Sequence, residues 1–278
     1  MSLRLAITTI VLCYCLYGCD TPAKKGENIH DQGIYNENIH QKYEQEVSPK
    51  LVFETKVLSR KEGQCENNCA KVTIHYPLFN ESDHKIFNQF IENQIKSVLE
   101  DFTMSNKPLD NYEAQVEEFI QSYKSFKNEF PDVQTPWTIE IEIAVTYQHA
   151  SFLTFSTTTS AYTGGAHPLS NKEYQNLSMD GYKIEDLDYF ISDQEKLKEL
   201  AEKQFRSAKN LTVNQPFSDA GFTFDNDEFY LTENFGFNEA GIVFYYNSYE
   251  IGPYALGPTE VVISYAALQG VYKYQAQL

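Results

Sequence analysis

The sequence lacks the motifs that carry common enzyme chemistry. It has no His-Glu-x-x-His pair, no Gly-x-Ser-x-Gly elbow and no glycine-rich phosphate loop. None of its six histidines has another histidine four positions away, so a helical pair of metal ligands is not expected. We therefore predict no cofactor and no metal site, and catalysis is not the leading interpretation.

Basic residues are scarce. The chain has 22 Lys and Arg against 39 Asp and Glu, a net charge of −17. Such a surface repels phosphate backbones, so nucleic acid is excluded as a partner. It attracts basic proteins at long range, although solubility outside the cell would explain the same composition.

No hydrophobic run reaches the roughly 20 residues that a membrane-spanning helix needs. The longest run, residues 5–17, follows Arg4 and ends at Gly18-Cys19, which resembles a secretory signal with a lipobox. We predict that residues 1–18 are removed and that Cys19 carries acyl chains such as palmitate. Each buried CH₂ contributes about 0.8 kcal/mol, which is enough in sum for a membrane anchor. An ordinary signal peptide with a chance cysteine is the alternative.

Two cysteines remain beyond Cys19. Cys65 and Cys69 flank a turn-forming Glu-Asn-Asn segment, which predicts a disulfide at a hairpin tip in an exported chain. Residues 19–48 are polar with few bulky aliphatics, so they predict a flexible tether.

Hydrophobic periodicity predicts the elements of the first half of the chain. Segments 51–57 and 72–76 read as a hairpin, and residues 137–149, whose alternation is nearly strict, are expected to pair antiparallel with residues 151–162. Apolar residues at three- and four-residue spacing predict two amphipathic helices, one over residues 86–102 that Ser82 could cap and one over residues 112–130 that Pro131 ends.

The second half predicts more strands and a polar helix. Strands are expected near residues 174–179, 229–231, 242–246 and 261–265, and the helix over residues 193–209. The whole pattern predicts an α+β fold with a mostly antiparallel sheet, two amphipathic helices in the N-terminal half and at least one helix in the C-terminal half.

Two loops are unusually dense in glycine, proline and tyrosine. In the first, Tyr162-Thr163-Gly164-Gly165-Ala166-His167-Pro168, paired glycines permit close backbone approach and proline holds His167 extended. The second covers residues 249–258 and is stiff, so its tyrosines would bind at low entropic cost. The candidate ligand-binding residues are Tyr162, Thr163, Gly164, Gly165 and His167, with Tyr249, Glu250, Pro253 and Tyr254. A tight internal crossing and an ordinary turn are the structural alternatives.

Both halves of the chain resemble known bacterial families. Residues 72–77, the helix over 87–95 and the strand leading into residues 162–167 resemble the accessory domain of the peptidoglycan deacetylase PdaC. Residues 186–187, 229–231 and 249–255 are similar to the C-terminal domain, of unknown function, of the lysozyme-sensing anti-sigma factor RsiV. The expected domains are 49–168 and 169–278.

The resemblance implies an envelope-facing recognition module. The sequence shows no metal-binding deacetylase motif, and a lipid anchor is expected where the anti-sigma factor has a cytoplasmic part and a transmembrane helix, so the resemblance alone implies neither deacetylation nor that signalling route. We expect an extracytoplasmic, lipid-anchored protein that binds a lysozyme-like envelope protein or a peptidoglycan or other polysaccharide ligand. Two alternatives stay open. One is a deacetylase or hydrolase that pairs His167 with a carboxylate such as Glu250, and the other is a structural or chaperone-like lipoprotein with a broad apolar patch.

Overall fold

The computed structural model describes residues 50–65, 68–80, 84–103 and 108–274. The predicted signal segment, Cys19 and the tether therefore lie outside the described residues. Within the described ranges the chain forms two β-sheets and three α-helices, which confirms the α+β class. None of these helices is both long and apolar enough to cross a bilayer.

The first sheet has five strands in the order β1-β2-β3-β4-β5. Neighbours pair antiparallel, as the alternating segments predicted, except that β2 and β3 run parallel. A parallel pair needs a crossover longer than a tight turn, and two helices supply it here. The strands are β1 Phe53–Gln64, β2 Asn68–Phe79, β3 Trp137–Gln148, β4 Phe152–Tyr162 and β5 Leu169–Ser178.

The tip of the β1–β2 hairpin is closed by the predicted Cys65–Cys69 disulfide. Gly63, just before the tip, has a φ of +83° and pairs with Cys69. A Cβ atom at this position would lie 2.5 Å from the carbonyl oxygen of Asn68. The hairpin therefore depends on a glycine at position 63 as well as on the cross-link.

The crossover helices, α1 Lys85–Glu100 and α2 Tyr112–Glu129, cover one face of the five-stranded sheet. The side chain of Asn111 caps α2 by accepting from the Ala114 N–H at 2.8 Å. The residue predicted to cap α1, Ser82, lies outside the described ranges. The apolar stripes that both helices bury are Phe87, Ile91, Ile95 and Leu99 in α1 and Val116, Phe119, Ile120 and Tyr123 in α2.

The second sheet is antiparallel, in the order β6-β7-β8, with α3 packed against it. The predicted strands at residues 242–246 and 261–265 and the polar helix at 193–209 are confirmed. Asp193 caps α3 by accepting from the Lys196 N–H at 2.9 Å. The elements are β6 Phe235–Asn238, β7 Gly241–Tyr246, β8 Thr259–Ser264 and α3 Gln194–Ala208.

The strand predicted at residues 229–231 is wrong. This segment has no strand pairing, and β6 begins four residues later, at Phe235. Phe229 is instead buried in an aromatic cluster, with its ring 5.5 Å from Phe205 and 5.4 Å from Phe224. An aromatic residue that anchors a coil to a core looks the same in sequence as one on the inner face of a strand.

The two sheets meet where β6 crosses β4 and β5. A Cβ atom on Gly236 would lie 2.5 Å from Cδ1 of Tyr174 and 2.7 Å from Cγ2 of Thr154, so this backbone approach requires glycine. Side chains of the first sheet donate to β6 carbonyls on either side of Gly236. Thr146 Oγ1 donates to the Phe237 oxygen at 2.8 Å, and Asn176 Nδ2 donates to the Phe235 oxygen at 3.1 Å.

Two asparagines join the outer edge of β5 to the second sheet. Asn234 Oδ1 accepts from the Tyr174 N–H at 2.8 Å, and its Nδ2 donates to the carbonyls of Lys172 at 2.8 Å and Tyr245 at 2.9 Å. Asn247 accepts from the Lys172 N–H at 2.9 Å and donates to the Lys172 carbonyl at 3.0 Å. The amide side chains thus replace a neighbouring strand at this edge of the sheet.

We predict that Asn234→Ala lowers the free energy of unfolding by about 2–4 kcal/mol, because three hydrogen bonds are lost, two of them between the sheets. Urea denaturation measures the change. The matched control is Asn171→Ala, because the Asn171 amide makes only an exposed contact, with Glu173 at 2.9 Å. Loss of this contact should lower the free energy of unfolding by no more than about 0.5 kcal/mol. Equal losses in the two variants would contradict a clamping role for Asn234.

Candidate functional site

The two loops predicted to carry ligand-binding residues lie against each other. The first connects β4 to β5 and the second connects β7 to β8. A hydrogen bond of 3.1 Å joins His167 Nε2 to the hydroxyl of Tyr249. The His167 ring also stacks on Tyr254, with centroids 4.0 Å apart and planes 16° apart. Candidate residues 82 positions apart in the sequence are therefore in direct contact.

These three side chains form an exposed patch, which we call the aromatic surface: His167, Tyr249 and Tyr254. The exposed fraction is 62% for Tyr249 and 37% for Tyr254, and His167 is exposed as well. The two tyrosine rings are 5.6 Å apart between centroids. Large aromatic side chains held together at the surface offer flat apolar faces beside hydroxyl and imidazole groups, which is a common composition of binding surfaces.

The backbone of Tyr249 is strained. Its φ is +73°, in the left-handed region that a bulky L-residue rarely adopts. This conformation costs on the order of 1–2 kcal/mol. Strain of this kind persists only when the surroundings hold it in place, and it is concentrated at functional sites.

Glu250 and Asn247 hold the strained turn. The Asn247 N–H donates to Glu250 Oε2 at 2.8 Å, and the Glu250 N–H donates to the Asn247 carbonyl at 3.1 Å. The Glu250 carboxylate thus supports the backbone under Tyr249, while the His167 ring nitrogens contact the Tyr249 hydroxyl and the Pro168 carbonyl. The geometry gives Glu250 a structural part in the turn, separate from the His167 ring.

The other candidate residues shape the loops. The Tyr162 hydroxyl donates to the Gly165 carbonyl at 3.2 Å and so folds the first loop back on itself. Gly164 and Gly165 have φ values of +99° and +132°, which only glycine adopts without strain. Thr163 is exposed. Pro253, in the second loop, accepts from the Leu256 N–H at 2.9 Å and starts the short 3₁₀ turn that carries Tyr254.

Sequence reasoning missed a charged cluster on β5. The Lys172 ammonium lies 4.8 Å from the Tyr174 ring centroid and 5.2 Å from that of Tyr245, and it is 3.4 Å from Glu260 Oε2. Partial burial lowers the pKa of Lys172, but its interactions with Tyr174 and Glu260 outweigh burial and raise that pKa above its usual value. Lys172 lies before the strand that the sequence predicts at residues 174–179, and Tyr245 and Glu260 come from the other sheet.

Beneath the second loop, Tyr246 is fully buried and its hydroxyl donates to the Tyr230 carbonyl at 2.6 Å. Burial raises the pKa of the Tyr246 phenol, and burial followed by the charges of Glu250 and Asp225 raises that of Tyr230. In the described ranges no group of three or more histidine, cysteine, aspartate or glutamate side chains is placed to hold a metal ion.

Two family models match the chain in succession. The model described as "Deacetylase PdaC" matches residues 64–170, and the model described as "Protein of unknown function (DUF3298)" matches residues 188–266. The resemblance of the two halves to two families is therefore confirmed. No curated protein matches the sequence.

Two solved structures share the fold. A DUF3298 family member from Bacteroides fragilis is 23% identical, with a TM-score of 0.61 over 81% of this chain and 95% of that chain. A DUF3298 family protein from Pseudomonas aeruginosa is 17% identical, with a TM-score of 0.57 over 82% of this chain and 96% of that chain. Because each alignment covers nearly the whole solved chain and most of this one, the fold described above recurs in both structures.

We predict that Tyr249→Asn leaves the free energy of unfolding unchanged or raises it by up to about 1 kcal/mol, because asparagine tolerates the left-handed conformation better than tyrosine. Urea denaturation tests this. The control Tyr245→Asn removes a half-buried ring in ordinary strand geometry and should lower the free energy by about 1–3 kcal/mol. A loss for Tyr249→Asn as large as that of the control would show that position 249 is not strained.

Proposed function

Because the chain joins a PdaC-type segment to a DUF3298-type segment, we propose that it is an extracytoplasmic binding module. It recognises a ligand of the cell envelope through the aromatic surface formed by His167, Tyr249 and Tyr254. The observation that carries this proposal is the exposed, strained Tyr249 in contact with His167, a residue of a different loop. A residue kept in a costly backbone conformation at the surface supports a role other than stability.

The aromatic surface suits a ligand with flat apolar faces and hydroxyl or amide groups. Tyrosine adds large contact area with only two rotatable torsions, so little entropy is lost on binding. The His167–Tyr254 stack and the His167–Tyr249 hydrogen bond already restrict these side chains before a ligand arrives. Such preorganisation raises affinity without additional contacts.

Two ligand classes fit this surface. A glycan would stack its sugar rings on the aromatic faces. A basic, lysozyme-like protein would also be drawn by the net charge of −17. The binding experiment therefore includes both classes.

The proposed site is tested by affinity capture from the organism's own envelope, with lysozyme and soluble peptidoglycan fragments as defined probes. The variant His167→Ala, Tyr254→Ala removes the stacked pair. We expect it to weaken binding of the true ligand by at least about tenfold, since each well-packed aromatic at a binding surface contributes on the order of 1–2 kcal/mol.

The matched control is Tyr182→Ala, which removes a tyrosine that is 74% exposed and lies outside both loops. It should leave capture unchanged. If the double variant remains folded by circular dichroism and captures everything that the wild type captures, the aromatic surface is not the binding site. If the wild type captures no envelope component above background, the chain is not a binding module.

We also propose that acylated Cys19 holds the module at the membrane. The support is the sequence alone, with its short apolar run ending in Gly18-Cys19. Expressed in its host, the wild-type chain should partition with membranes and incorporate labelled palmitate. Cys19→Ala should remove both the label and the membrane association. Equal membrane association of the two chains would contradict lipid anchoring.

A further inference from the structure

A cleft opens along the outer edge of β5, beside the Asn234 clamp. Its volume is about 450 Å³, and its floor is the β5 segment from Tyr174 to Asn176. One wall is formed by Glu233 and Phe235, which flank Asn234, and the other by residues 183–185, where the chain returns past the end of β5. The cleft is the gap between two segments that each cover part of the same strand edge.

The hydrogen bonds along this edge show where the neighbouring segments leave part of β5 uncovered. The Lys172 and Tyr174 N–H groups donate to asparagine side chains. Further along, the Ser178 N–H donates to the Tyr182 carbonyl at 2.9 Å, and the Asn176 carbonyl accepts from the Ile184 N–H at 2.8 Å. Alternate residues of a strand point their backbone groups to the same side, so positions 172, 174, 176 and 178 all face outward.

Two of the outward-facing backbone groups of β5 are still to be accounted for. Within the part of the chain that the structure describes, the Tyr174 carbonyl and the Asn176 N–H have no hydrogen-bond partner. Both residues are buried, with exposed fractions of 9% and 3%. Backbone donors and acceptors of folded proteins are nearly always paired, with protein groups or with solvent, because leaving one unpaired is costly. The pair therefore marks a place for a polar group from outside the chain.

The spacing of these groups matches a peptide backbone. In a parallel ladder, one residue of the incoming strand donates its N–H to the carbonyl before the facing residue and accepts from the N–H after it. With Gln175 as the facing residue, these groups are the Tyr174 carbonyl and the Asn176 N–H. Adding a strand to a free sheet edge is a recurrent mode of peptide recognition.

We propose that this cleft binds one residue of an extended peptide, which pairs its backbone with the Tyr174 carbonyl and the Asn176 N–H. Only one residue pairs because Asn234 and Ile184 already occupy the neighbouring edge groups. Glu185 and Glu233 line the cleft with a single opposing charge, Lys183, so a basic side chain is preferred on the paired residue. This site is separate from the aromatic surface and does not rest on the proposed function.

The test uses the full chain, labelled with ¹⁵N, and N-acetyl-alanyl-lysyl-alanine amide as the probe. Before peptide is added, the Asn176 amide should exchange with solvent faster than those of Gln175 and Leu177, which face β4. The peptide should shift the Asn176 amide resonance and slow its exchange. An analogue methylated on the lysine backbone nitrogen should bind about fivefold more weakly or worse, since it loses one hydrogen bond.

The matched charge variants are Glu233→Lys in the cleft and Glu228→Lys, an exposed acid that does not line it. The first should weaken peptide binding by about two- to fivefold and the second should leave it unchanged. Equal affinity for the methylated analogue, binding that leaves the Asn176 amide unchanged, or no binding at millimolar peptide would each overturn the proposal. If N-acetylglucosamine oligomers shift the Asn176 amide resonance and the peptide does not, the cleft binds a sugar acetamide. That result would also overturn the peptide proposal.

Discussion

The close approach of β6 to the face of β4 and β5 is the contact on which the rest of this fold depends. Gly236 makes it sterically possible, because any side chain there would overlap Tyr174 and Thr154. Asn234 and Asn176 supply the hydrogen bonds that a regular strand neighbour would otherwise make. A single glycine and a few amides thereby join two sheets that carry separate hydrophobic cores.

This junction also determines what lies along the edge of β5. Where Asn247 binds Lys172, the connection after β7 is held beside the connection after β4, and His167 meets Tyr249 and Tyr254. Beyond Asn234 the second sheet no longer covers the edge of β5, and the Tyr174 carbonyl and the Asn176 N–H face a cleft. The aromatic surface and the cleft are thus two consequences of one strand edge that the second sheet covers only in part.

Much of the fold was predictable because local periodicity reports which face of an element is buried. The four-residue repeat of Phe87, Ile91, Ile95 and Leu99 and the nearly strict alternation between Trp137 and His149 each had one interpretation, and the helix and the strand are confirmed. The prediction failed at residues 229–231, where the aromatic residues anchor a coil. It also did not include the parallel pairing of β2 with β3, which depends on how two helices pack and leaves no local pattern.

For the candidate site, the sequence by itself determined which loops are stiff and which residues they carry, because glycine, proline and tyrosine restrict or permit backbone conformations wherever they occur. Tertiary structure alone decided that His167 stacks on Tyr254 and hydrogen-bonds to Tyr249, and that Asn234 and Asn247 bind the edge of β5. Among the described residues, it also left the Tyr174 carbonyl and the Asn176 N–H of β5 without a hydrogen-bond partner. Each of these features joins segments distant in the chain, and contacts of that kind are fixed by packing between elements.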